Sequence, residues 1–354
     1  MTDILLQTLS SQDIHWLQTV GTLYPTQPNA ILNEHEVSPD TAYILLEGKL
    51  AIHATPIEHS ARTPTAQPLT HLSSGELIGW LSCQDSNDRP ATIQALDRAL
   101  LLAIPQAQLQ QKLQTDPSFA AHLYQAQALL LARRLQRFLR HLQTPNALAY
   151  PPQRESVTIF SILEDSDLDW LITVGKVQLL PANTELIQKY QPIDSLHILL
   201  DGTLALGLTA DSRSPLLTAF SLISSAESND RFSEFARLSR GDFLGETALV
   251  NAYPNHLTVK VLRESKVLSI PRWRLSAKLH HDVQFASRFY RMLAIILTHQ
   301  QTLMLQHLGH GDLEEPEASA DSEFLTKVAL AEARFDWMLK RIQTELGTGK
   351  EIQW

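Results

Sequence analysis

One stretch combines glycines, a carboxylate and nearby polar side chains in a pattern suited to a small hydroxylated anion. It reads Gly241-Asp-Phe-Leu-Gly-Glu-Thr-Ala-Leu-Val250 and continues after a short gap as Pro254-Asn-His-Leu-Thr-Val259. Glycine lets the backbone approach a ligand closely, and backbone N–H groups there can hold an anion. A carboxylate accepts hydrogen bonds from sugar hydroxyls. The candidate ligand-binding residues of this stretch are Gly245, Glu246, Thr247, Asn255 and His256.

Catalytic and metal-binding patterns do not accompany this stretch. The sequence has no Walker loop and no nucleophile elbow, and its 14 histidines are scattered without metal-ligand spacing. Cys83 is the single cysteine, so no intrachain disulfide is expected. The net charge of −9 argues against a nucleic-acid-binding protein. No signal peptide or membrane segment is predicted. We therefore expect a non-enzymatic cytoplasmic protein without a metal or cofactor.

The 354-residue chain is long enough for two domains and contains an internal duplication. Residues 154 positions apart match first, so that Trp16 aligns with Trp170. The offset then grows to 166, and Gly75-Glu-Leu-Ile-Gly79 aligns with Gly241-Asp-Phe-Leu-Gly245. The chain thus carries two copies of one unit. The change of offset from 154 to 166 means that copy two has twelve extra residues.

Each copy reads as short strands flanked by helices. The runs Ile44-Leu-Leu-Glu-Gly-Lys-Leu50 and Ile198-Leu-Leu-Asp-Gly-Thr-Leu204 have an acid–Gly pair at their centre, which predicts a hairpin. Many short strands between turn residues are typical of a jelly roll or barrel. Amphipathic helices are predicted over 119–142 and 282–308, and each is expected to cover its own barrel. Their apolar stripes fit core or dimer seam better than a ligand site.

These motifs together resemble the phosphate-binding cassette of cyclic-nucleotide-binding domains. That family reads roughly Phe-Gly-Glu-x-Ala-Leu and then Pro-Arg-Ala-x-Thr-Val, where this chain has Phe243-Leu-Gly-Glu-Thr-Ala-Leu249 and Pro254-Asn-His-Leu-Thr-Val259. Ala132-Arg-Arg-Leu-Gln136 is similar to the effector domain of catabolite-activator-type regulators. The resemblance implies an α+β, mainly β fold. It would contain two tandem jelly-roll β-barrels of cyclic-nucleotide-binding type, each with flanking helices, plus a C-terminal helix.

The same resemblance assigns roles that neither copy fills completely. Glu246 would hold the ribose hydroxyls, but Asn255 stands where an arginine would clamp the cyclic phosphate. Copy one keeps that arginine as Arg89, while Trp80 follows Gly79 in place of the acid. A hydrogen bond to a charged group contributes roughly 1.5–3 kcal/mol. Losing the arginine is therefore expected to weaken binding by one to several decades.

The candidate ligand-binding residues and the basic cluster also have interpretations that involve no ligand. Glu246 suits a turn cap as well as a ligand contact, and Arg89 suits a surface ion pair better than a phosphate clamp. His256 is a partial substitute for the arginine only when protonated. Trp80 is expected to fill the degenerate pocket as core. The basic cluster Arg133–Arg140 fits a solvated helix face, with an acidic partner as the sharper alternative.

Composition shifts suggest the domain boundaries. Prolines stiffen one linker and acidic residues mark a second. The predicted division is domain 1 at 1–142, a proline-rich linker at 143–153, domain 2 at 154–308, an acidic linker at 309–322 and an amphipathic C-terminal helix at 323–354.

The C-terminal helix is the predicted partner-binding element. Phe335, Met338 and Ile342 fall at spacings of three and four and form one apolar stripe. Such a helix docks on its own protein, on a copy of itself or in a partner groove. A single helix cannot form a winged helix-turn-helix, so no DNA-binding domain is expected.

The sequence therefore favours a non-enzymatic regulatory or scaffold protein with two diverged cyclic-nucleotide-binding-like domains. It would act through contacts with a protein partner or through self-association. The alternative is a sensor of a cyclic nucleotide such as cAMP or cGMP, with the ligand held mainly in domain 2.

Overall fold

The computed structural model describes residues 4–32, 41–53, 68–79, 92–139, 154–209, 232–245, 257–310 and 322–347. The folded chain divides into two compact units. The first consists of residues 1–143, 158–167 and 275–331, and the second of residues 144–157, 168–274 and 332–354.

Copy one begins with two short helices and continues as strands. Its elements are α1 (Ile4–Thr8), α2 (Ser11–Val20), β1 (Thr22–Thr26), β2 (Thr41–Glu47), β3 (Leu50–His53), β4 (Thr70–Leu72), β5 (Leu77–Ile78), β6 (Thr92–Ala95), β7 (Ala99–Pro105), α3 (Gln106–Thr115) and α4 (Pro117–Leu139). The strands form two antiparallel sheets, ordered β1-β7-β2-β5 and β4-β3-β6.

Copy two repeats this order of helices and strands. Its elements are α5 (Arg154–Ile162), α6 (Asp165–Val174), β8 (Lys176–Leu180), β9 (Glu185–Ile187), β10 (Ser195–Thr209), β11 (Phe232–Leu238), β12 (Phe243–Leu244), β13 (Thr258–Pro271), α7 (Arg272–His281) and α8 (Val283–His310). The sheet order is β11-β10-β13-β8, with β12 on β10 and β9 on β13. The C-terminal helix α9 (Ser322–Gly347) follows.

The duplication is confirmed by backbone geometry at aligned positions. Residues with positive φ occur in pairs at the predicted offsets: Asn29 and Asn183 (66° and 65°), Gly48 and Gly202 (92° and 116°), Gly75 and Gly241 (88° and 89°), and Gly79 and Gly245 (78° and 84°). Left-handed backbone is uncommon, especially outside glycine. Its recurrence at aligned positions shows that the two copies share their turns as well as their strand order.

The acid–Gly pairs do not close hairpins, so that prediction was wrong. β10 runs through Asp201-Gly202 as one bulged strand along β13. In copy one, β2 pairs with β7 and β3 pairs with β6. A side chain at Gly48 would place its Cβ 2.6 Å from the carbonyl oxygen of Arg98. Glycine is therefore needed there for close approach of two chain segments rather than for a reversal.

The long helices α4 and α8 pack along each other within the first unit. Burial raises the pKa of the Tyr124 hydroxyl, and the charge of nearby Arg291 partly offsets that rise. Burial also raises the pKa of Tyr290, the aligned residue of copy two, to about 12. Since Arg291 directly follows Tyr290, nearly equivalent positions of the two helices face each other. Helices α4 and α8 therefore pack against each other within one chain.

Apolar side chains form the interior of each copy. Fully or almost fully buried residues include Leu45, Leu50, Leu101 and Phe138 in copy one. The core cluster of copy two consists of Ile187, Leu199, Leu204, Leu238, Leu244, Val259, Val261 and Val267. The mixed helix-and-sheet fold with tandem β-domains, flanking helices and a C-terminal helix is confirmed. No helix among the described segments is long and apolar enough to span a bilayer.

Candidate functional site

A tight turn enters the candidate ligand-binding stretch in each copy, and we call it the cassette turn (residues 73–79 and 239–245). In copy two, the Asp242 N–H donates to the Ser239 carbonyl oxygen at 3.1 Å and the Gly241 N–H donates to Leu199 at 2.8 Å. The corresponding bonds of copy one, at Glu76 and Gly75, have the same lengths of 3.1 and 2.8 Å. The two cassette turns therefore have one backbone design.

The predicted site residues lie mostly beyond these turns. Gly79 and Gly245 end them with φ of 78° and 84° and direct the chain into the next segment. The other predicted ligand-binding residues lie outside the described residues: Arg89, Glu246, Thr247, Asn255 and His256. Trp80 lies outside them as well. Their ligand-binding roles stay predictions.

The acid of the copy-one turn makes a buried ion pair with the long helix. Arg134 donates from Nη2 to Glu76 Oε2 at 2.7 Å and also to the Leu77 carbonyl oxygen at 3.3 Å. Glu76 is 4% exposed and Arg134 is 7% exposed. Arg137 lies 3.6 Å from the second carboxylate oxygen and donates to the His71 carbonyl oxygen at 3.0 Å. This pairing attaches α4 directly to strand β5 of the cassette.

The acid of the copy-two turn binds its own backbone instead. Asp242 Oδ2 accepts a hydrogen bond from the Ser239 N–H at 2.7 Å, and the residue is 2% exposed. The 166-residue offset places Gln300 where copy one has Arg134. Copy two therefore carries neither the longer acid nor the helix arginine that join cassette and helix in copy one.

Sequence reasoning missed the Glu76–Arg134 pair. The basic cluster of α4 was predicted to be a solvated face, which is wrong for Arg134, because this side chain is buried against β5. Arg137 keeps about a third of its side chain exposed. One signal was present in the sequence. Between the copies, the acid shortens from Glu76 to Asp242 at the same time as Arg134 is replaced by Gln300.

A second difference between the copies lies in the barrel strands. In copy two, Ser269 donates to Gln178 Oε1 at 2.8 Å and lies 2.8 Å from His197 Nδ1. Burial lowers the pKa of His197 to about 4. In copy one, the residues aligned with His197 and Gln178 are Tyr43 and Tyr24, whose ring centres are 6.0 Å apart. Copy two thus has a chain of hydrogen-bonded polar side chains where copy one has an aromatic pair.

The C-terminal stripe is partly covered in this structure. Met338 and Ile342 are buried, and Phe335 is half-buried with its ring 5.4 Å from the guanidinium carbon of Arg240. Arg341 donates from Nε to Asp169 Oδ1 at 3.0 Å. These contacts lie within the second unit. The partner-binding role of the stripe stays a prediction.

Within the described part of the chain, no group of three or more His, Cys, Asp or Glu residues is placed to hold a metal ion. Two apolar residues of the long helices, Phe138 and Leu305, are buried. The geometry offers a pair of cassette turns with one backbone design, and in copy one the Glu76–Arg134 ion pair joins the turn to helix α4.

A family model matches the chain twice. The cyclic nucleotide-binding domain model covers residues 26–116 and 177–282, one range in each copy and together more than half of the 354 residues. Among curated proteins, no sequence matches this chain.

Several solved structures are similar. The regulatory domain of Toxoplasma gondii PKA with cAMP is 15% identical, with a TM-score of 0.29 and coverage of 79% of this chain and 89% of that chain. The regulatory subunit of a cAMP-independent protein kinase A from Trypanosoma cruzi, bound to guanosine, is 12% identical, with a TM-score of 0.28 and coverage of 79% and 81%. A putative cyclic nucleotide-binding protein from Geobacter metallireducens is 15% identical, with a TM-score of 0.32 and coverage of 43% and 98%. At these values the similarity gives no information on ligand or partner.

Proposed function

The chain belongs to the cyclic nucleotide-binding domain family, and we propose that it is a non-enzymatic regulatory or scaffold protein with diverged pockets. It acts through contacts with a protein partner or through self-association. The observation that carries this proposal is the buried ion pair of Glu76 with Arg134 in copy one.

This ion pair attaches helix α4 to the cassette strand, and a bound ligand is therefore not needed for that attachment. The guanidinium of Arg134 lies 2.7 Å from the carboxylate and 3.3 Å from the Leu77 carbonyl oxygen. A buried charge-assisted bond of this kind is among the stronger polar contacts in proteins. It holds α4 on the cassette strand without any ligand. Copy one is then a fixed structural domain, which is consistent with Trp80 in place of the ribose-binding acid.

Copy two supports the second candidate function, a sensor of a cyclic nucleotide. Its cassette turn keeps the backbone design, its sequence keeps Glu246, and Gln300 stands at the position aligned with Arg134. Asn255 replaces the phosphate-clamping arginine. Any binding here is therefore expected to be weak, because the charge-assisted bond to the phosphate is missing.

Calorimetric titration of the full chain with cAMP, cGMP and cyclic dinucleotides separates the two functions. The regulatory or scaffold function predicts weak or undetectable heat of binding. Micromolar or tighter binding that Glu246→Ala weakens and Trp80→Ala leaves unchanged would establish the sensor function instead. Binding that Trp80→Ala weakens and Glu246→Ala leaves unchanged would contradict the assignment of copy one as a structural domain and of copy two as the site of any ligand binding.

The remaining expectations follow from the same function. No cofactor is expected beyond a cyclic nucleotide, and a cytoplasmic location fits a chain with the single cysteine Cys83. Protein partners captured from the native cell by the full chain should be lost with Phe335→Asp, since this change puts a charge into the apolar stripe of α9.

A further inference from the structure

An aspartate joins the second helix of each copy to the long helix of the same copy. In copy one, Asp13 of α2 lies 2.8 Å from Nδ1 of His122 on α4. In copy two, the aligned Asp167 of α6 accepts two hydrogen bonds from Arg288 on α8, at 2.7 and 2.8 Å. The repeat therefore places a histidine and an arginine in the same role.

Much of the surrounding structure is alike in the two copies. In both, the lysine ammonium lies over a phenylalanine ring, 5.6 Å from the ring centre in copy one and 5.5 Å in copy two. A further difference in charge is Glu164, which lies 3.2 Å from Arg288 and aligns with Ser10. The aligned pairs of identical residue type are Trp16 and Trp170, Lys112 and Lys278, Asp116 and Asp282, and Phe119 and Phe285.

Asp13 Oδ2 is the acceptor at the copy-one contact. It accepts hydrogen bonds from the Ser10 N–H at 2.8 Å and from the Ser10 hydroxyl at 2.7 Å, in addition to the contact with His122. An ionised carboxylate only accepts hydrogen bonds, so Nδ1 of His122 must carry the hydrogen of this contact. Whether Nε2 also carries a hydrogen then decides whether the ring is charged.

The contact is an ion pair when His122 is protonated and a hydrogen bond from a neutral donor when it is not. Histidine ordinarily changes its charge between about pH 5 and 8, and a bond between two ionised groups is the stronger of the two forms. The His122 side chain is 35% exposed, so the ring exchanges protons with solvent. Arg288 stays charged throughout this range, because a guanidinium does not lose its proton in proteins.

The neighbouring titratable groups keep one charge over this range or face solvent. Helix α1 contacts α4 and contains no charged residue or histidine. On α3, the hydrogen bond from Lys112 is the main reason that the pKa of Asp116 is lowered, so this pair stays charged. Arg291 on α8 also keeps its charge, and His15 on α2 is exposed. The titration of the contact therefore belongs to His122.

We propose that the Asp13–His122 contact is a pH-sensitive clamp that holds the N-terminal helices α1 and α2 on copy one. With His122 protonated, the contact is an ion pair and these helices are held most firmly. As the pH rises, the ring loses its charge and the contact weakens, so that local opening of residues 4–20 becomes more frequent. The aligned arginine makes the corresponding contact of copy two insensitive to pH over the same range.

Hydrogen–deuterium exchange of the full chain tests the clamp. His122→Arg installs the copy-two residue, and exchange of α2 in wild type is compared with that in the variant at the same pH. The chemical dependence of exchange on pH cancels in this ratio. Between about pH 5.5 and pH 8, the ratio of wild-type to variant exchange should rise by about two- to fivefold, the size expected for a partly exposed pair. His122→Gln does not titrate either, and its ratio should rise in the same direction.

The reciprocal exchange, Arg288→His, should transfer the pH dependence to copy two. The ratio of variant to wild-type exchange in α6 should then rise with pH, and a constant ratio would overturn the role assigned to the arginine. His15→Gln is the matched control, because it removes an exposed histidine from the same helix.

A wild-type-to-variant ratio in α2 that stays constant with pH for both His122→Arg and His122→Gln would overturn the proposal. An equal response to His15→Gln would overturn it as well, because the effect would then not depend on the contact with Asp13. None of these readouts involves a nucleotide or a protein partner, so the clamp and the regulatory function can fail independently.

Discussion

The cassette turns of the two copies have the same backbone and different side-chain attachments. Glu76 extends to Arg134 on the long helix, whereas Asp242, one methylene shorter, bonds back to Ser239 in its own turn. The φ angles of the flanking glycines differ by only 1° to 6° between copies, from 88° to 89° and from 78° to 84°. The two turns therefore share one backbone, while the acid joins two elements in copy one and caps its own turn in copy two.

The different partners of Glu76 and Asp242 bear on which copy could respond to a ligand. In copy one, a buried ion pair joins helix α4 to the cassette without a ligand. In copy two, the turn acid Asp242 accepts a hydrogen bond from Ser239 within its own turn. We therefore propose that any dependence on a ligand resides in copy two.

The largest effect is expected from removing one member of the buried ion pair. Glu76→Leu leaves the buried guanidinium of Arg134 without its carboxylate, which should destabilise the protein by about 3–5 kcal/mol. The double variant Glu76→Leu with Arg134→Leu should be close to wild type, since apolar replacement of a whole buried pair is often neutral. Asp242→Asn in copy two should reduce stability by only about 1 kcal/mol, the typical net contribution of one hydrogen bond. Urea denaturation measures all three, and similar losses for Glu76→Leu and Asp242→Asn would break the comparison.

Acid sensitivity should come from copy two. Burial lowers the folded-state pKa of His197 to about 4, against 6.5 for an unperturbed histidine. Between these pH values the unfolded chain binds more protons than the folded chain. The contribution of His197 to stability is therefore fully present above pH 6.5 and decreases as the pH falls towards 4. The full loss is about 3 kcal/mol.

His197→Gln, which does not titrate, is the test of this acid sensitivity. The difference in unfolding free energy between wild type and variant should change with pH only between about 4 and 6.5. A difference that is constant with pH would show that His197 does not distinguish the copies. The aligned Tyr43 of copy one has a pKa raised by burial and contributes nothing in this range.

The paired glycines at the ends of the cassette turns should respond unequally. Both have positive φ, which makes alanine unfavourable by roughly 1–2 kcal/mol. At Gly245 an added Cβ would lie 2.7 Å from the Ser195 carbonyl oxygen, whereas at Gly79 the nearest contact, with Thr41, is 3.4 Å. Gly245→Ala should therefore cost about 1 kcal/mol more than Gly79→Ala. Thermal unfolding measures both, and an equal loss would mean that the second turn shifts freely.

The smallest difference is expected at the helix caps that both copies retain. Asp116 and Asp282 each accept an ammonium hydrogen bond, from Lys112 at 2.8 Å and from Lys278 at 2.7 Å. Each also caps the following long helix, and the lysine bond is the main reason that the pKa of each carboxyl is lowered. Asp116→Ala and Asp282→Ala should each reduce stability by about 1 kcal/mol. If the two losses of unfolding free energy differed by more than about 0.5 kcal/mol, the two helix caps would not be equivalent.

The fold was predictable because the sequence contains it twice. Matches at fixed offsets locate the strands, the glycine turns and the long helices without knowledge of any contact. The acid–Gly pairs were misinterpreted as hairpins, because a glycine needed for close approach between strands has the same sequence signature as one needed for a tight turn. Only tertiary pairing separates these two uses of Gly48 and Gly202.

The candidate site was less predictable, because its decisive contact joins distant parts of the chain. Glu76 and Arg134 are 58 positions apart, and nothing local distinguishes Arg134 from the more exposed Arg137. The same limit applies to Arg240 and Phe335. Amphipathic spacing identified the stripe of α9, but spacing alone does not reveal which surface covers it.

Because α4 and α8 pair within one chain, their sequences can differ, whereas the two identical helices of a symmetric dimer cannot. When identical subunits associate about a two-fold axis, every substitution appears on both sides of the seam at once. Here the facing positions are encoded separately, so Arg291 can lie near Tyr124 while Gln125 stands at the position equivalent to Arg291. The pairing is also unimolecular, with an effective concentration set by the connecting chain rather than by expression level. Dilution cannot separate these helices, and either one can acquire a new role without its counterpart.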